Sequence, residues 1–261
     1  MIVLKGRVLD GNGGPPIEQG AVVLEGNRVH LVCRQSELPE LEGVQCYTTQ
    51  NATILPGLID AHVHMGWGSA TAVEWLSMTP QLSMARALRD MAQLRQQGYT
   101  AFRDLGSDVI LLKPAVAEGL LDVPRIFGAG KILSQIGGHG DVYQKLSLEG
   151  SLGAYSPAFL VTGEDEVRRA CRINARNGAD LIKIMTTGGV FSQGDKATPH
   201  SHFSAAEIRA AVEARDDMLI IARTDCRATH DLDEVVRRLE AYRDAGADIV
   251  YADALRSPEE M

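Results

Sequence analysis

TILPGLIDAHVH, residues 53–64, runs apolar through a Pro-Gly turn and then becomes abruptly ionisable. That composition predicts a buried strand with a reactive end. Side chains along a strand alternate between faces, so His62 and His64 share one side. Two neutral imidazole nitrogens that close can bind one first-row metal ion, with zinc the leading candidate. Two ordinary polar residues at a strand end would give the same HxH pattern, and the pattern alone is a weak signal. Here it closes an apolar strand, at the end where parallel (β/α) barrels keep their active sites, which favours the metal.

Upstream, residues 1–55 read as a small β-sheet domain: IVLKGRVL and AVVLEGNRVHLV are alternating runs broken by GNGG and EGN, the pattern of hairpins. GNGG is a turn rather than a phosphate loop, because no helix follows it. Downstream, residues 56–261 repeat one unit: helix, glycine stop, apolar strand, polar strand end. Thr79 and Pro80 open the first such helix, with Leu82, Ala85, Leu88, Met91 and Ala92 spaced for its buried face and Gly98 as its stop. The unit recurs at 162–177 before LIKIMTTGG, and at 231–245 before DIVYADAL, while SPEEM opens a last helix. Capping boxes are read at Ser204 with Glu207 and at Asp231 with Glu234. Such a series predicts parallel strands joined by right-handed crossovers. Candidate strands lie near 57–64, 98–104, 125–131, 180–186, 218–223 and 247–253. The predicted fold is therefore α/β, a TIM-type (β/α) barrel with six strands where closure takes about eight, behind the small N-terminal sheet.

Composition narrows the function. At 261 residues and 45% hydrophobic, the chain can fill a full-sized core. Its net charge is −8 and it has no Lys/Arg run, which argues against nucleic acid as a partner. The cysteines Cys33, Cys46, Cys171 and Cys226 lack CxxC spacing and read as reduced thiols. MIVLKGRVLD has neither the basic nor the long apolar region of a signal peptide, and no later run spans a membrane. A cytoplasmic protein acting on a small molecule is expected.

Lys183 sits inside LIKIM, where an ammonium is costly unless paired, neutralised or modified. An internal salt bridge, with Asp104 as partner, is one resolution. The other is a neutral amine that takes up carbon dioxide, giving a carbamate whose two oxygens can bridge metal ions. The HxH pair favours the second.

ATILPGLIDAHVHMG, TAFRDLGS, GGHGD and GADLIKIMTTGGV together resemble the amidohydrolase superfamily, in its imidazolonepropionase-like and Xaa-Pro dipeptidase-like branch. The resemblance covers about residues 1–214. It implies metal ligands at His62 and His64, a carbamylated bridging Lys183, and His139 of GGHGD lining the substrate pocket. The implied reaction is hydrolysis of an amide-type C–N bond in a dipeptide, N-acyl amino acid or cyclic amide.

That family's next features would be histidines ending strands five and six and an aspartate ending strand eight as general base. In place of the first, this chain reads MLIIARTDCRA, then LDEVVRRLEAYRDAGADIVYADALRSPEEM. Residues from about 208 onward resemble the isocitrate lyase and phosphoenolpyruvate mutase superfamily, also a barrel family. By that resemblance Arg223 would hold a substrate carboxylate, and Asp253 stands where a glutamate is usual. The chain reads as a chimera, amidohydrolase-like over 56–214 and lyase-like over 215–261.

Other candidates are weaker. His200 and His202 form a second HxH, in ATPHSHFS, and read as surface histidines in a polar loop. Asp104, beside Arg103, reads as a structural ion pair or a partner behind the ligands, and His30 and His230 carry no pattern. The leading expectation is an impaired, zinc-dependent (or other transition-metal) amidohydrolase with no assignable catalytic base. Its rivals are a magnesium-dependent lyase or mutase and a non-catalytic, metal-binding barrel fragment. Open barrel edges are expected to promote self-association.

Overall fold

In a computed structural model the chain is described over residues 1–67, 74, 77–144, 146–153, 155–188, 201–215, 217–253 and 255–260. It divides into two units, Met1–Leu58 and Ile59–Met261.

The first unit is a four-stranded sheet of β1 (Ile2–Val8), β2 (Ile17–Glu25), β3 (Arg28–Arg34) and β4 (Gln45–Ile54), in the order β3-β2-β1-β4. The β1–β2 and β2–β3 pairs are antiparallel, as the turn signals imply, whereas β4 returns to pair parallel with β1. Val3, Ala21 and Val23 form its core, covered by Leu31, Leu38, Leu41 and Val44. Thr53 and Ile54 thus belong to this first sheet and not to the strand carrying the histidines.

The second unit alternates strands with helices. Its strands are β5 (Leu58–Val63), β6 (Tyr99–Asp104), β7 (Arg125–Gly128), β8 (Ile132–Ser134), β9 (Ala158–Leu160), β10 (Leu181–Met185), β11 (Leu219–Thr224) and β12 (Ile249–Ala252). They form two ladders, β5-β6-β7 and β12-β11-β10-β8-β9. The ladders meet where Asp180 N donates to Gly128 O at 2.9 Å. The third sequence-predicted strand is split. Asn174 Oδ1 accepts from Lys131 N and Asn174 Nδ2 donates to Lys131 O at 2.7 Å, fixing the break at Ala129-Gly130-Lys131. Beyond it, β8 pairs in parallel with β10, and with β9, a three-residue strand that no periodicity announced.

The main helices are α1 (Pro80–Gln96), α2 (Glu164–Arg176), α3 (Ala205–Ala214) and α4 (Leu232–Asp244). Thr79 Oγ1 caps α1 by accepting from Leu82 N, with Pro80 in the first turn. The buried stripe of α1 is Ser83, Ala87 and Met91; of the expected face Met91 is buried and Leu88 packs beside it, while Leu82, Ala85 and Ala92 are exposed. Ser204 and Glu207 form the expected capping box on α3. The expected box on α4 forms only by half. Asp231 accepts from Glu234 N, but the Glu234 carboxylate is drawn to Arg237 and Arg238.

Period-two alternation on β10 and β11 sets the two faces of the parallel ladder. Ile182, Ile184, Ile220 and Ala222 pack with Val167, Cys171, Ile208 and Tyr242 of the helices. Leu181 and Ile221 pack on the opposite side with Leu105 and Ala129, and Lys183 shares that side with Met185. One expectation fails outright: the strand carrying the histidines is not buried, since Ile59 is 67% exposed. Among the described residues β5 and β12 each stand at the end of a ladder, and an edge strand has no neighbour to cover its flank.

Candidate metal centre

The inward-facing strand ends bring the sequence-predicted residues together. His62 and His64 have ring centroids 5.3 Å apart in an edge-on arrangement. The ring of Trp67 stacks on His64 at 4.2 Å, and its Nε1 donates to Gly106 O at 2.9 Å, which fixes the plane of the imidazole. Gly106 has φ +153°, and a Cβ there would lie 2.5 Å from Ile132 Cδ1 and 3.3 Å from His64 Nδ1, so glycine is required beside the histidine. Behind the pair, Asp104 is fully buried and accepts from Met65 N at 2.7 Å and Gly106 N at 3.0 Å. It thereby holds the backbone that follows His64. Burial raises its carboxyl to about 6 against those hydrogen bonds.

Neither expected ion pair of Asp104 forms. Arg103 Nε donates to Ala61 O at 2.7 Å, and Lys183 Nζ, fully buried, has no hydrogen-bond partner. A planar guanidinium can satisfy a backbone carbonyl of the neighbouring strand, and Asp104 is already committed to two amides. Desolvation, then the charge of Arg223, lowers Lys183 to about 7. Desolvation also lowers His62 to about 4, with the charges of Lys183 and Arg223 adding to it, and His64 to about 3. Both imidazoles are therefore neutral donors at neutral pH. His64 Nδ1 is buried with no hydrogen-bond partner.

Arg223 and Asp253 lie in the same cluster. Arg223 Nε and Nη2 donate to the two oxygens of Asp225 at 2.7 and 2.8 Å, and Nη2 also pairs with Asp253. The register sets Lys183 opposite Ile221, Met185 opposite Arg223, and Arg223 opposite Tyr251. His139, half-buried in the GGHGD loop, is close enough for its charge to act on His64.

Three participants escaped the sequence. The Tyr251 ring lies 5.8 Å from that of His62, and both Lys183 Nζ and Arg223 Cζ lie 5.9 Å from its centroid. Asp225 is the buried anchor of Arg223. His202, expected on the surface, is half-buried. Its amide donates to Thr186 O at 2.8 Å, and a Cβ on Gly138 would come within 2.9 Å of its Nδ1. The one available signal was its place in the loop after LIKIMTTGG, on the face where barrels keep their sites. His200 lies outside the described residues.

The resemblance to the amidohydrolase superfamily implies a divalent metal. Two neutral imidazoles and a buried amine, two of them with unsatisfied nitrogens, fit one ion. Among the described residues no group of three or more His, Cys, Asp or Glu is assembled to hold a metal.

The chain is similar to several known proteins. Ochratoxinase of Aspergillus niger is 30% identical over 244 residues, covering 87% of this chain and 50% of ochratoxinase. The chain thus spans about half the length of that relative. The crystal structure of A. niger ochratoxinase superposes with a TM-score of 0.83 at 28% identity, covering 99% of this chain and 61% of the other. A prolidase complexed with N-methylphosphonate-L-proline gives a TM-score of 0.80 at 30% identity, covering 99% and 62%. A second kind of relative matches locally: 2-methylisocitrate lyase of Aeropyrum pernix is 50% identical over 99 residues, 36% of this chain and 32% of the lyase. These neighbours imply a TIM-type barrel plan for the second unit. The amidohydrolase family model matches residues 53–257, and the chain belongs to the amidohydrolase family.

Proposed function

We propose that this chain is a divalent-metal-dependent hydrolase of amide-type C–N bonds, built as a mononuclear centre with impaired turnover. The observation that carries the proposal is the pair of buried, unsatisfied nitrogens, His64 Nδ1 and Lys183 Nζ, beside a neutral His62. His62 and His64 would hold the ion, zinc before other transition metals, through their neutral nitrogens. Lys183, with its amine held near 7, can add to carbon dioxide and release a proton, and the carbamate so formed offers oxygen donors in place of the amine. The bound ion supplies Lewis acidity to the amide carbonyl. Trp67 and Gly106 keep the His64 ring in its plane, and His139 borders the space where substrate would lie. The prolidase neighbour's proline-containing ligand supports a dipeptide or N-acyl amino acid as substrate.

Turnover is limited by proton transfer. Asp225 gives both oxygens to Arg223, Asp253 is paired with the same guanidinium, and Asp104 is buried behind the histidines. A positioned general base contributes about 10²–10⁴-fold, and these carboxylates are otherwise engaged. Zinc-loaded protein should hydrolyse a panel of dipeptides and N-acyl amino acids slowly, and His62→Ala should abolish that activity. Turnover unaffected by His62→Ala would overturn the assignment.

The local likeness to 2-methylisocitrate lyase supports a second reading, a magnesium-dependent lyase or mutase with Arg223 and Asp253 at a substrate carboxylate, in a chain of two-family origin. Magnesium rather than zinc in the purified protein, with cleavage of a 2-methylisocitrate-like acid, would favour it.

A further inference from the structure

We propose that Arg223, clamped by Asp225 and Asp253, is a resident cation of the site that restricts it to one weakly held divalent ion. The inference rests on the metal reading above and adds what sets the number and affinity of the ions. The guanidinium is nearly enclosed, with its side chain 11% exposed, and Asp225 is 1% exposed. Three charge-assisted bonds to two carboxylates prevent it from swinging out to solvent. Its backbone is fixed as well, because Thr186 Oγ1 donates to Arg223 O at 2.7 Å.

The consequences for a metal are twofold. Both oxygens of Asp225, after β11, and one of Asp253, after β12, are engaged by Arg223, which weakens each carboxylate as a donor to an ion. The permanent positive charge lies against the same Tyr251 ring as Lys183 and His62, and it acts on both histidines and the lysine, so a dication placed among them meets it through low-dielectric protein. An arginine, unlike a lysine or histidine, cannot shed its proton to relieve that repulsion.

The test is zinc binding by metal-stripped, full-length protein, measured by competition with a chromogenic chelator and needing no turnover. Wild type should bind no more than one zinc per chain. Arg223→Met should bind zinc at least about tenfold more tightly, since a unit charge is removed and the carboxylates are released. Arg223→Gln, which still donates a hydrogen bond to Asp225, should show the same gain and guards against a misfolded variant; circular dichroism verifies both folds. Arg223→Lys, whose ammonium is held protonated between Asp225 and Asp253, keeps the charge and should stay within about threefold of wild type. Adding His62→Ala to the tightened variant should abolish the gain. Two zinc ions held by wild type, no gain in the neutral variants, an equal gain in Arg223→Lys, or a gain that survives His62→Ala would each overturn the proposal. Absent amide turnover with the expected zinc series would sink the hydrolase reading and leave this one standing.

Discussion

Proton uptake at the HxH pair runs against the ordinary behaviour of histidine. In metal-free protein the His62 and His64 imidazoles should titrate near pH 4 and pH 3 by NMR, and a midpoint near 6.5 for either would mean that water reaches it freely. An unfolded histidine takes up its proton near 6.5, so as pH falls from 6.5 towards 4 the unfolded state gains protons that the folded state refuses. Stability should therefore fall through that window, and the fall should be shallower in His64→Gln when Tm is followed against pH. Asp104, raised to about 6, opposes the trend between about pH 4 and 6, which is why the variant comparison is the informative one. His62, His64 and Lys183 were legible in the sequence because strand alternation and an ion in an apolar run are local signals. Tyr251, Asp225 and His202 were not. Their parts depend on cross-strand register and on the path of a loop, which no short window encodes.

Elements were legible wherever a capping residue or glycine stop punctuates them, and illegible where tertiary contacts decide. Helices α1 and α3 begin at the residues their caps announce. Ser204→Ala should cost about 1 kcal/mol in denaturant unfolding, and no loss would mean that α3 is held by packing alone. The split of the third strand was hidden, because the run PRIFGAGKIL, residues 124–133, gives no sign that Asn174 of a distant helix will break it. Gly130, at φ +65° with a Cβ position 2.6 Å from Asn174 Oδ1, makes that break possible. Gly130→Ala should therefore destabilise by about 1–3 kcal/mol, through both strain and overpacking. An unchanged Tm would show that Asn174 simply moves aside.

For the whole molecule, the α/β plan could be read from the βα grammar, but the extra strand β9 and the exposure of β5 could not, since composition reports apolarity and neither pairing nor coverage. Ile59, 67% exposed on an edge strand, offers a template for pairing with a second chain. Light scattering should show mass rising with concentration, and Ile59→Lys should reduce it; a monomer at all concentrations would contradict this. The order β3-β2-β1-β4 carries a separate implication for synthesis. The strand made first, Ile2–Val8, is an interior strand of the finished sheet, and its parallel partner Gln45–Ile54 is made last. Closing that long loop is the slow, entropically costly step of this unit. While a nascent chain waits for it, one flank of β1 keeps its amides and carbonyls bare, so the first-made strand of this sheet is the one most in need of a chaperone that shields strand edges.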